Sequence, residues 1–106
     1  MSDETTNFAE DILVPTGTTL SYIFAIEPLD LTGATAAFIT DFGTYTTALA
    51  MTTDGQVTTT TFTTLIPATA MAAVGIGVHT WRILVTMADG VTILPYGNGS
   101  INVGSA

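Results

Sequence analysis

The chain has 106 residues, enough for one hydrophobic core and too few for two. Hydrophobic residues make up 47% of it and charged residues only 9%, a balance too apolar and too charge-poor for a disordered segment. Nine carboxylates face one cation, Arg82, for a formal net charge of −8, which argues against nucleic acid and anionic membrane surfaces as partners, because phosphate neutralisation needs clustered Lys and Arg.

The polar share is carried mostly by threonine, at 23 positions, and a β-branched side chain favours strands over helices. Residues 1–10 read as a polar, acidic arm without the basic start and apolar run of a secretory signal, and residues 11–106 as the folded domain. No stretch approaches the roughly 18 uninterrupted apolar residues of a membrane helix. Synthesis in a cytoplasm is the expectation.

A short strand fits Ile12-Leu13-Val14 before the Pro15-Thr16-Gly17 break. Residues 19–27 alternate, with Leu20, Tyr22, Phe24 and Ile26 on one face; Ile23 and Ala25 leave the other face partly apolar, so this strand is either central or covered by a partner. Residues 28–33 are rich in turn formers, and residues 34–42 read as a strand that Gly43 bends and residues 45–51 continue. Thr53-Asp54-Gly55 carries the Asp-Gly signal of a tight hairpin into residues 56–64. Within that strand Thr58-Thr59-Thr60-Thr61 reads as a solvated edge whose hydroxyls pair across strands.

Proline followed by good helix formers predicts one or two helical turns over residues 66–73, ended by Gly75. The clearest strand is residues 78–87, where His79, Trp81, Ile83 and Val85 alternate against Thr80, Arg82, Leu84 and Thr86. Ala88-Asp89-Gly90 turns the chain into residues 91–94, and Tyr96-Gly97-Asn98-Gly99 turns it again into residues 100–103. The whole predicts an all-β, antiparallel sandwich of immunoglobulin-like type, with about seven strands and one short helix.

Chemistry-bearing patterns are sparse. With no cysteine there is no disulfide, thiolate metal site or cysteine nucleophile. The lone histidine, His79, has Trp81 and Ile83 on its strand face and no carboxylate in its local pattern, so it reads as a core or rim residue. Asp54, Asp89 and Asn98 sit where tight turns demand them and lack calcium-loop spacing. Gly75 and Gly77 precede a strand and follow a helix, the reverse of a phosphate cradle. The expectation is no catalytic residues, no metal and no cofactor. Tyr22, Tyr45, Tyr96 and Trp81 form the aromatic set from which a sugar-stacking platform could be built, with Tyr45 or Tyr96 at its centre. The threonine ladder lacks the repeat period of an ice-binding array.

Four segments resemble a known family. Pro28-Leu29-Asp30-Leu31-Thr32-Gly33-Ala34 is similar to a "DLTGA" connection that opens a strand, and Ile66-Pro67-Ala68-Thr69-Ala70 to a short "TPAQTA" helix. Residues 77–90 match in length a segment of the form "GTYTYDLxVTDADG", with His79 and Trp81 where two inward aromatics stand, and residues 99–103 resemble a closing "GxVxV" strand. Together, over residues 12–103, they resemble the immunoglobulin-like sandwich domain of tailed-phage virion proteins and prophage genes, related to N-terminal domains of baseplate and fibre components. Histidine in place of an aromatic at 79 and the low charge depart from the pattern.

That resemblance implies a non-enzymatic virion protein, made in the host cytoplasm. The expected role is capsid decoration by binding the major capsid protein, with the tail or fibre base, or a carbohydrate-binding adhesive module, as alternatives. The expected partner contacts are Phe8, the apolar anchor of the arm, with Glu10, and the apolar strand positions Ile23 and Leu84. Another virion protein could take the capsid protein's place as partner, neither nucleic acid nor membrane is expected, and homo-oligomerisation stays open.

Overall fold

The computed structural model describes residues 9–105. Seven strands and one helical turn follow in the order β1 (Ala9–Pro15), β2 (Leu20–Ile26), β3 (Thr35–Thr40), β4 (Gly43–Asp54), β5 (Val57–Ile66), α1 (Ala68–Met71), β6 (Gly77–Thr86) and β7 (Ile93–Gly104). The protein is mostly β. Hydrogen bonds join the strands into one sheet of order β1-β7-β6-β3-β4-β5-β2, which curls until it is nearly a closed barrel. Every pair is antiparallel except β1 with β7, so the sheet is mixed rather than antiparallel throughout.

The parallel pair follows from burial. Ile12 and Val14 point inward and stand beside Ile101 and Val103 on β7, so β1 completes a rank of buried aliphatic side chains there. β1 and β2, joined only by residues 16–19, therefore lie at opposite margins of the sheet. Side chains bridge the gap. The Tyr22 hydroxyl donates to Glu10 Oε1 at 2.6 Å, and the Tyr22 ring meets Trp81 edge-on at 5.2 Å.

The core lies inside the curl. Alternation places Trp81, Ile83 and Val85 of β6 inward, as the period of two predicts, and Trp81 stacks on Phe38 at 5.3 Å. Phe62 on β5 joins the opposite walls, stacked on Phe24 at 4.6 Å and tilted against Tyr96 of β7 at 5.7 Å. Met71 of the helical turn is fully buried, so α1 caps the core rather than standing off it.

Four local expectations change. Residues 34–51 are two strands rather than one bent strand: Asp41 and Phe42 form a tight turn between Thr40 and Gly43, closed by the Thr40 hydroxyl, which donates to the Gly43 carbonyl at 2.7 Å and accepts from the Phe42 amide at 3.1 Å. Residues 96–99 do not turn but run within β7, where one extra residue opposite Ile83 and Leu84 makes a bulge and Tyr96 is buried. β5 is no solvated edge. It lies between β4 and β2, with Thr60 and Thr64 fully buried, although hydroxyls do pair across strands, Thr47 with Thr64 at 2.7 Å and Thr53 with Thr58 at 3.0 Å. Of the two expectations for β2, the central one changes, because the strand lies at the sheet margin.

Candidate functional site

The outer surface divides into a polar corner and an uncharged sheet face. The corner is built where the β3–β4 turn meets the start of β6. His79 projects between them, its Nδ1 3.0 Å from Asp41 Oδ1, its Nε2 donating to the Gly75 carbonyl at 2.6 Å, and its ring edge-on to Phe42 at 5.4 Å. Both ring nitrogens thus face acceptors, and the doubly protonated imidazolium satisfies both at once. The Gly75 carbonyl holds the His79 pKa above its ordinary value against the opposing effect of desolvation, and Asp41 adds to the rise. Neither nitrogen is left to take a proton from a bound molecule, so the histidine acts as a clamp between two turns.

The sequence reading found no carboxylate for His79. The structure supplies Asp41, 38 residues away, brought in because β3 and β6 are neighbours and Thr40 pairs with Trp81. Beside the clamp lies an open, shallow hollow of about 500 Å³, lined by Ile39, Asp41, Thr80, Arg82, Asn98 and Gly99. Arg82 stands in its middle row, between Ile39 on β3 and Asn98 on β7. Among the described residues the single ion pair is His79 with Asp41, and no group of three or more acidic or histidine side chains is placed to hold a metal ion.

Of the four expected contact residues, the three that are described do not converge. Phe8 lies outside the described residues. Glu10 is a strand residue of β1, and its groups are engaged within the fold: the carboxylate accepts from Tyr22, and the main-chain carbonyl accepts from Trp81 Nε1 at 3.1 Å. Ile23 is 61% exposed on β2, whereas Leu84 is half-buried on β6, and β3, β4 and β5 separate the two along the sheet. The aromatic set is largely withdrawn from the surface. Tyr22, Tyr96 and Trp81 are buried, and Tyr45 is half-buried against Phe42, so no exposed stacking platform is built from them.

The second region is the outer face of β4, β5 and β2, and sequence reasoning passed over it. Its signal was present in the threonines and alanines at every second position of residues 44–52 and 59–63, but it became legible only once the register was known. The chain matches no protein-family model, and no curated protein matches it.

Proposed function

We propose that this chain is a non-enzymatic structural protein of a virion, an immunoglobulin-like module that decorates a capsid by binding its major capsid protein. The observation that carries this reading is the strand order. A parallel first strand against the last, followed by antiparallel β6, β3 and β4, with β5 and β2 on the facing wall and a buried tryptophan on β6, is how an immunoglobulin-like sandwich would look if β4 passed from one layer to the other.

The segments that carry the resemblance to the phage family fall at junctions between elements. Residues 30–34 form the turn that opens β3, where Asp30 accepts from the Thr32 amide at 3.0 Å and Leu31 is buried; residues 67–71 form the helical turn; and residues 87–92 form the turn after β6. The interior supports an architectural role too, because aromatic and aliphatic side chains fill it and the hollow beside His79 is open and superficial.

The test is stoichiometry. In purified particles the chain should be present in hundreds of copies, and a chain beginning at Ala9, which keeps β1 intact, should occupy fewer sites. A few copies per particle would move the protein to the tail or fibre base, and absence from particles would overturn the reading. The carbohydrate alternative has lost its aromatic site.

A further inference from the structure

The chain carries a net charge of −8, yet on three adjacent strands the outward side chains of residues 21–25, 59–65 and 44–52 include no charge. Register sets them in ranks that cross β2, β5 and β4: Ile23 beside Thr63 beside Ala48, then Ala25 beside Thr61 beside Ala50. All are short, and most end in methyl groups. The carboxylates near this face stand at one end of it, Glu27 just beyond β2 and Asp54 at the tip of the β4–β5 hairpin. The opposite end shows Ser21 and Leu65, the latter 59% exposed.

We propose that this face is a self-association surface on which a second copy of the chain packs, sheet against sheet, about a two-fold axis that sets the strands of the two copies antiparallel. Charge selects the occupant and the orientation. Two such acidic molecules repel one another over most of their surfaces, and this face is where contact brings no carboxylates together. The antiparallel arrangement lays the Glu27 and Asp54 end of one copy over the Ser21 and Leu65 end of the other, whereas a parallel one would oppose like charges.

Side-chain chemistry agrees. Alanine and threonine lose little rotamer freedom on packing, and Ile23 and Leu65 supply the apolar anchors. β2 explains why the face needs a cover, because Ile23 and Ala25 make its outer side apolar as well as its inner one, and it lies at the sheet margin, with no strand beyond it among the described residues. Strand spacing and rise give a footprint of about 15 by 25 Å, hence about 750 Å² buried between two copies, the size of a weak, transient interface that dissociates in the upper micromolar range. The pairing does not rest on the particle assignment.

Sedimentation equilibrium of the full chain tests it. The apparent mass should rise from 11.0 kDa toward twice that value across the micromolar range, and added salt should strengthen association by screening the net charge. Thr61→Asp and, separately, Ala50→Asp should hold the chain monomeric, while Val91→Asp, in an exposed turn, should leave association unchanged. Thermal melts identify any variant that fails to fold, and Ile23→Glu at the margin then serves in its place. A monomer at every concentration, or association indifferent to all of these variants, would overturn the proposal. So would a face that stays accessible in solution and becomes protected only on particles, which would assign it to the capsid protein.

Discussion

The two limbs of the curled sheet have opposite polarity. β4, β5 and β2 bury hydroxyls, with Thr47 bonded to Thr64 and Thr60 donating to the Leu29 carbonyl at 2.8 Å, and present an exterior whose charge is confined to Asp54 at the hairpin tip. β1, β7, β6 and β3 bury only apolar and aromatic side chains, apart from the Trp81 and Tyr96 polar atoms, and carry Asp11, Arg82 and the His79 corner outside. The contrast shows that threonine does not mark a surface. A buried hydroxyl is tolerated wherever it finds a partner, and among the described residues no buried side-chain polar atom lacks one.

The largest expected effect falls on the second limb. Gly99 of β7 has φ 157°, and a Cβ there would collide with the Glu10 carbonyl and come within 2.9 Å of the Trp81 indole nitrogen. Gly99→Ala should therefore cost at least about 3 kcal/mol in denaturant unfolding, since β1 would be pushed from its place. A loss below about 1 kcal/mol would show that β1 is not held so closely.

Next comes a cycle on the first limb. Thr64→Val and Thr47→Val each leave one buried hydroxyl alone and should each cost about 1–3 kcal/mol, whereas the double variant should cost much less than their sum. The same change outside, Thr63→Val, should stay within about 0.5 kcal/mol. Equal costs on the two sides of β5 would erase the distinction between them.

The smallest effect concerns the corner. Because the folded pKa of His79 is raised, its contribution to stability is fully present below the unfolded value near 6.5 and is lost as pH rises through the higher folded value. Melting temperatures should therefore fall over that window in the wild type, and His79→Gln should flatten the decline. A profile unchanged by the substitution would mean that the clamp contributes nothing to folding.

What the sequence made legible was whatever is written in local period or in turn chemistry. The alternation of residues 78–87 gave β6 and its inward face, and Asp54-Gly55 gave the β4–β5 hairpin, with Gly55 at φ 66°. The β3–β4 turn was hidden because Asp41 and Phe42 adopt no positive φ and so carry no glycine or asparagine signal; the Thr40 hydroxyl closes it instead. Residues 96–99 misled for the converse reason, since Gly99 is required by the approach of another strand and not by a turn. Of the candidate site, Ile23 was readable as an outward apolar residue, but its neighbours Thr63 and Ala48 depend on register, and the Asp41 partner of His79 depends on topology.

The pairing of β1 with β7 has a consequence for assembly of the chain itself. Ala9 stands opposite Asn98 and Pro15 opposite Gly104, so β1 lacks this backbone partner until β7, which follows all the other described strands in the chain, has been synthesised. Closing a loop of that length costs chain entropy before any contact rewards it, which makes docking of β1 a late event. Until then the inner wall that it covers stays open to water, and the sheet is closed by the meeting of two strands far apart in the chain.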